Sequence, residues 1–149
     1  MKKKYFILTA IIISVMFIFT GCRFYFSGPQ LSFNSYEIQE EEITEEVQID
    51  TNDDGEYDTT ETQIVGYKYT LLASVRNDGG PGQYSVELHG KETSSSSYSL
   101  VGRYGPVNID TGDNSLSVVF NSETKYSNFK IKLYVDGQVV KVVEYVVNI

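Results

Sequence analysis

The stretch YTLLASVRNDGGPGQYSVEL, residues 69–88, decides the fold. Its first half, extended back to residue 65, alternates between apolar and polar side chains with a period of two, the pattern of a strand with one buried face. After the turn NDGGPG (77–82) the alternation resumes, so two strands flank a turn rich in glycine and proline. The predicted inward row is Val65, Tyr67, Tyr69, Leu71, Ala73, Val75, Tyr84, Val86 and Leu88; the outward row includes Lys68, Thr70, Ser74, Arg76, Ser85, Glu87 and His89.

The rest of the chain from residue 31 onward repeats this pattern, and no stretch has a useful length of helical periodicity. Asp136-Gly137 predicts a tight hairpin turn, because both residues tolerate positive φ. The last run, QVVKVVEYVVNI (138–149), is apolar on both faces, so it is predicted to be a strand with much of both sides covered. The further strands are predicted at 31–38, 114–120, 129–135 and 138–149, with turns at YGP (104–106) and DTGDN (110–114) and a polar loop at 93–99.

About seven short strands without helices predict an all-β fold, a single antiparallel β-sandwich spanning residues 30–149. An acidic insertion or hairpin is predicted at 37–62. Residues 69–88 also look like the B-turn-C hairpin of bacterial immunoglobulin-like or fibronectin-III-like extracytoplasmic domains. The resemblance implies an immunoglobulin-like sandwich without the Cys-Trp-Cys core, since the chain has one cysteine and no tryptophan. That fold serves binding, structural and spacer roles alike.

The N-terminus, MKKKYFILTAIIISVMFIFTGC, has three lysines followed by an apolar run at 5–19. That run is shorter than the ~20 residues of a membrane span and has the layout of a signal peptide, predicted at 1–21. The closing FTGC resembles the lipobox of bacterial lipoproteins, although Phe19 stands where that family has an aliphatic residue. The resemblance implies lipidation of Cys22, the single cysteine, and cleavage before it. The alternative is an ordinary secretory signal or membrane anchor with a chance cysteine.

Lipidation of Cys22 implies a membrane partner and an extracytoplasmic location. Arg23 follows the cysteine, where many inner-membrane lipoproteins of diderm bacteria carry aspartate, so the cell membrane or the outer membrane is the expected destination. A tether at 22–29 then keeps the domain within about 30 Å of the bilayer.

Charge excludes one class of partner. The whole chain carries 12 basic and 20 acidic residues, for a net charge of −8, and the loss of residues 1–21 removes three lysines. Twelve of the acids lie between Glu37 and Glu61, in a stretch with no lysine or arginine. Such a chain repels nucleic acid and anionic lipid headgroups, so no nucleic-acid partner is expected.

Nothing in the sequence points to catalysis, and no catalytic residue is predicted. The single histidine, His89, falls on the outward face of its strand and is predicted to be solvated. The 12 tyrosines suit either a binding surface or strand formation.

The sequence DTNDDGEYDTTE, residues 50–61, has oxygen donors at the spacing of a twelve-residue calcium loop, with Gly55 at the sharp turn. It resembles an EF-hand-type loop, but the residues after it predict a strand, and those before it suit a helix or a strand equally. The alternative is an acidic turn between strands. The calcium ligands implied by the resemblance are Asp50, Asn52, Asp54, Asp58 and Glu61 through side-chain oxygens, with Glu56 through its carbonyl.

These features together predict a membrane-anchored extracytoplasmic lipoprotein whose β-sandwich is a non-catalytic binding or structural module, with calcium as the one candidate cofactor. The alternative is a surface or periplasmic adaptor that recognises a peptide or glycan.

Overall fold

The computed structural model describes residues 28–147 apart from 54, 94 and 96. The described residues form two antiparallel sheets, one in the order β1-β2-β5 and the other in the order β4-β3-β6-β7. The predicted all-β sandwich of seven strands is therefore confirmed. The strands are β1 (Leu31–Ile49), β2 (Thr59–Asn77), β3 (Gly82–Lys91), β4 (Ser99–Ile109), β5 (Gly112–Ser122), β6 (Asn128–Val135) and β7 (Gln138–Val146).

The N-terminal segment with its predicted signal peptide, and Cys22 itself, lie outside the described residues. Within the described part of the chain, no helix is long and apolar enough to cross a membrane.

The core follows the sequence alternation closely. The apolar rows of β2, β3 and β6 meet between the two sheets, and their central side chains have no exposed surface: Tyr69, Leu71, Val75, Val86, Leu88, Phe129, Ile131 and Leu133. Val65 is the exception in the predicted row, because it lies beyond the end of the three-stranded sheet and is 46% exposed. Burial of this apolar surface is the main contribution to stability in a domain that the sequence leaves without disulfides.

Aromatic side chains close the core at one end. The ring of Tyr69 lies 4.9 Å from that of Phe129 and 6.0 Å from that of Tyr126. The Tyr69 hydroxyl accepts a hydrogen bond from the Tyr126 backbone N–H at 2.8 Å and donates one to the Thr124 carbonyl at 3.2 Å. Burial raises the pKa of Tyr69 to about 12. A Cβ on Gly90 would lie 2.4 Å from the Tyr126 ring, so this cluster needs glycine there.

β2 and β3 lie in different sheets and are not hydrogen-bonded to each other, so the hairpin predicted at 69–88 was wrong. Strands B and C of an immunoglobulin-like sandwich also lie in different sheets. The chain instead crosses from one sheet to the other through residues 78–81. Asn77 is fully buried at this crossover. Its side-chain amide accepts from the backbone N–H groups of Gln30 and Gly79 and donates to the carbonyls of Gly80 and Asp110.

Two further predictions were wrong, one of a turn and one of how far a strand is covered. The segment YGP (104–106) is not a turn between strands but lies inside β4, where the pairing with β3 shifts register and Gly105 has a φ of +96°. The last run forms β7, but β7 is an edge strand that pairs only with β6, so four of its five valines are exposed and only Val143 packs against the core.

The acidic stretch forms the outer half of the β1–β2 hairpin. β2 pairs with β5 only from Tyr67 onward, whereas its pairing with β1 continues outward to Thr59. Residues 43–64 therefore project from the sandwich as a two-stranded ribbon by about 20 Å. No described residue of β1 or β2 between 43 and 64 is buried. The residues before Asp50, which suited either helix or strand, are a strand.

Candidate functional site

The predicted calcium loop lies at the tip of this ribbon. The Asp50 carboxylate accepts hydrogen bonds from the backbone N–H groups of Asn52, Asp53 and Gly55, at 2.7–3.1 Å. The Asp58 carboxylate accepts from the hydroxyl and the backbone N–H of Thr51, and both bonds lower the pKa of Asp58. The loop thus folds around two of the predicted ligands, as an acidic turn does.

The structure does not gather those of the predicted ligands that it describes into one group. Asp50 and Asp58 share the tip loop, but Glu61 is the third residue of β2 and lies opposite Val47. Asp54 lies outside the described residues. Among the residues that are described, no three His, Cys, Asp or Glu are grouped so as to hold a metal ion. The oxygen donors still match the preference of calcium, so calcium binding stays a prediction.

A second polar cluster lies on the outer face of the four-stranded sheet, centred on Glu87 of β3. The Glu87 side chain is only 7% exposed, although it points away from the core. Its carboxylate accepts hydrogen bonds from Arg103 of β4 (Nε, 2.9 Å, and Nη2), from Tyr134 of β6 (2.5 Å) and from His89 (Nε2, 2.9 Å). The Arg103 guanidinium lies 5.6 Å from the centre of the Tyr134 ring. One carboxylate therefore ties three neighbouring strands together.

The electrostatics of this Glu87 cluster fit a structural clamp. Desolvation raises the pKa of Glu87, but hydrogen bonds from Tyr134, Arg103 and His89 outweigh it and lower the pKa to about 2. The carboxyl group is therefore ionised at any physiological pH and holds no proton to give to a substrate.

The prediction that His89 lies on the outward face is confirmed, but the prediction that it is solvated was wrong. Its side chain is 15% exposed and bonded to Glu87. The alternation of Glu87 and His89 showed that they share a face, because residues two apart on a strand do so. Nothing in the sequence showed that Arg103 and Tyr134 lie beside them, because that depends on which strands pair.

The edge strand β7 is a third candidate site, after the tip loop and the Glu87 cluster. Its register with β6 runs from Gln138 to Val146, and no strand of the described residues pairs with its other edge. Lys141 and Glu144 are its only charged residues. Four of its valines are 44–57% exposed: Val139, Val140, Val142 and Val146. Natural proteins usually protect such an edge with charges or proline, and an apolar one is open to strand addition.

The Glu87 cluster predicts how stability depends on acid. Because the folded-state pKa of Glu87 lies below its ordinary value of 4.5, its contribution is present above pH 4.5 and is lost as the pH falls towards 2. We expect Glu87→Gln to lower the free energy of unfolding by on the order of 2 kcal/mol at pH 7. Urea denaturation across this pH range should show the difference from wild type shrinking towards pH 2.

Glu144→Gln is the matched control. Glu144 pairs with Lys130 on the same sheet face, but its side chain is 63% exposed. Its loss should change the free energy of unfolding by less than about 1 kcal/mol at every pH. A Glu87→Gln deficit that is equally large at pH 2 and pH 7 would contradict the clamp.

Comparisons with known proteins leave the family open. No protein-family model and no curated protein matches the chain. Among solved structures, a selenomethionine-labelled β-glucosidase from Kluyveromyces marxianus is similar over 83% of this chain, at 12% sequence identity and a TM-score of 0.37. The match spans only 14% of the length of that protein. A similarity this low carries no argument about function.

Proposed function

We propose that the chain is a lipoprotein anchored on the extracytoplasmic side of a membrane through Cys22, with its β-sandwich as a non-catalytic binding or structural module. The observation that carries the proposal is the single cysteine at the end of a lysine-led apolar segment. The resemblance of FTGC to a lipobox gives that cysteine a chemical role. Two or three buried acyl chains anchor a protein far more firmly than one.

The course of β1 indicates which end of the sandwich an anchor at Cys22 would bring to the membrane. β1 begins at Leu31, nine residues after Cys22, beside the crossover at Asn77, and runs to the acidic ribbon at the opposite end of the sandwich. An anchor at Cys22 therefore brings the crossover end towards the bilayer and directs the ribbon away from it. The eight carboxylates of residues 43–64 then lie far from anionic headgroups, which would repel them.

Replacement of Cys22 tests the anchor. Cys22→Ser removes the thiol that receives the diacylglycerol, so the variant should stay uncleaved and should incorporate no radioactive palmitate. Cells that express either form are labelled, and the protein is captured and resolved by size. The matched control is Ser27→Ala, which leaves the lipobox intact and should label as wild type does. Normal labelling of Cys22→Ser would overturn the proposal.

Calcium is part of the proposal as a ligand that stiffens the tip of the ribbon. The order of oxygen donors in residues 50–61 supports it, and so does charge, because the sequence from Glu37 to Glu61 has twelve acidic residues and no lysine or arginine, and like charges repel one another. A divalent cation would relieve that repulsion.

Calorimetry with millimolar calcium tests the loop. Binding should release or absorb heat and raise the melting temperature by several degrees, because a ligand of the folded state stabilises it. Glu61→Gln removes the ligand expected to be bidentate and should abolish both effects, whereas Glu45→Gln, on the same ribbon, should not. If calcium gives neither heat nor a shift in melting, the tip is only an acidic turn.

The second candidate function is an adaptor that recognises a partner at the edge of the sandwich, and β7 favours it. The exposed valines of this edge strand, such as Val142 and Val146, suit an extended apolar peptide that adds as a further strand. Main-chain hydrogen bonds then give affinity, and alternate side chains give specificity.

Arrays of immobilised peptides and glycans, probed with the purified chain, test the adaptor. We expect binding to extended apolar peptides, weakened about tenfold or more by Val142→Lys, since a second lysine beside Lys141 replaces apolar surface with charge on this edge. Val119→Lys is the matched control, because Val119 is 52% exposed on β5 of the other sheet. Binding to glycans alone, or equal losses in both variants, would exclude recognition through β7.

A further inference from the structure

A cleft opens at the end of the sandwich where the ribbon leaves the core. Its volume is about 470 Å³, which lies in the range of small-molecule sites. Glu40 of β1 and Lys125 of the β5–β6 loop line one side. Tyr126 also lines it, and the residues that follow β3 and β7 line the other side. All of these belong to the described part of the chain.

Glu40 occupies a position that the strand pattern assigns to the core. It lies opposite the buried Tyr69 in the β1–β2 pairing, and it follows Ile38, which is 3% exposed, in the same row. Opposed residues of an antiparallel pair point to the same face, so Glu40 faces the space between the sheets. Its side chain is only 15% exposed. A carboxylate placed there loses hydration and needs a positive partner.

Lys125 is a positive partner of Glu40. Its Nζ lies 3.2 Å from Oε1 of Glu40 and 3.4 Å from Oε1 of Glu42, and 5.5 Å from the centre of the Tyr67 ring. One ammonium group is therefore shared between two carboxylates, on a side chain that is 50% exposed.

The lining of the cleft also includes polar and apolar residues from the segments that follow β3, β5 and β7. Glu92 and Thr93 follow β3, and the Thr93 hydroxyl donates to the Ser127 hydroxyl at 3.1 Å. The Val147 backbone N–H donates to the Ser127 carbonyl at 3.0 Å, which fixes Val147 at the wall. Tyr126, 8% exposed, also lines the cleft. A short aliphatic body thus finds apolar contact next to carboxylates.

Around the cleft, Glu40, Glu42 and Glu92 carry three negative charges against one positive charge on Lys125. We propose that this cleft binds a small organic cation, a primary ammonium group on a short aliphatic body. The ammonium group pairs with the carboxylates of Glu40 and Glu92, and the body packs against Tyr126 and Val147. A site of this kind adds to the proposed function without depending on Cys22, on the tip loop or on β7.

Titration calorimetry of the full chain in neutral detergent at about 0.15 M salt tests the site, since this salt screens exposed charges beyond about 8 Å. The probe is 5-aminopentan-1-ol, and pentane-1,5-diol is the neutral analogue of the same length. We expect the amine to bind at least about tenfold more tightly than the diol, because a charge-assisted hydrogen bond replaces a neutral one.

Two pairs of substitutions separate a site from general attraction to an acidic protein. Glu40→Gln with Glu92→Gln removes two charges at the cleft and should weaken amine binding about tenfold. Glu45→Gln with Glu46→Gln removes two charges on the exposed ribbon and should weaken it less than about twofold. Equal losses in the two pairs, or equal affinity for amine and diol, would overturn the proposal.

The single variant Glu92→Gln keeps the test valid if the loss of Glu40 disturbs folding. Glu92 is exposed and joins no ion pair among those that the described residues make, so its substitution should leave the melting temperature unchanged. It should weaken amine binding about threefold or more. Unchanged affinity in this variant, with normal melting, would also overturn the proposal.

Discussion

The two sheets are held in place by the buried amide of Asn77. This side chain uses its full hydrogen-bonding capacity, with two bonds accepted and two donated. The four bonds join the residue before β1, the crossover and the β4–β5 turn, so one residue fixes where each sheet begins relative to the other. Gly79 makes the approach feasible, because a Cβ there would lie 2.2 Å from the Gly28 carbonyl oxygen. An unsatisfied amide at this depth would destabilise the domain.

The alternation of apolar and polar side chains determines which face of each strand is buried. This part of the fold could be predicted from the sequence. A period of two requires one face to be buried, so the rows through Leu71, Val86 and Ile131 identified the core strands. Pairing was not predictable in the same way, because sequence distance does not show which strands become neighbours. The apolar run of β7 therefore suggested a covered strand, whereas its place at the edge leaves Val142 exposed. The turn residues Gly105 and Pro106 were misread for the same reason, since a register shift inside β4 also accommodates them.

Because the sequence does not show which strands pair, only some of the candidate sites could be predicted. The tip loop is local in sequence, so the donors from Asp50 to Glu61 were visible as a pattern before the structure was known. The Glu87 cluster is assembled from β3, β4 and β6, and the cleft from β1 and the segments that follow β3, β5 and β7. Only the order of strands in a sheet brings such residues together. Glu40 did carry a local signal, an acid in the row of Ile38, but the eleven other acids between Glu37 and Glu61 concealed it.

The distribution of charge gives the two ends of the domain different properties. Within the sandwich, Glu41 forms an ion pair with Lys68 and Glu87 forms one with Arg103. Residues 65–147 carry eight acidic and eight basic residues, so their charges balance. The ribbon has no basic residue of its own, and its carboxylates keep their mutual repulsion. A two-stranded ribbon without a buried face is marginal in water, so its stability comes mainly from continuity with β1 and β2 in the sandwich. Lys125 lies where ribbon and sandwich meet, bonded to Glu40 and Glu42, and its single positive charge offsets the first carboxylates of the acidic row. In the cleft beside it, salt screens the charge of Glu40 less than it screens the exposed carboxylates of the ribbon, because the Glu40 side chain is only 15% exposed.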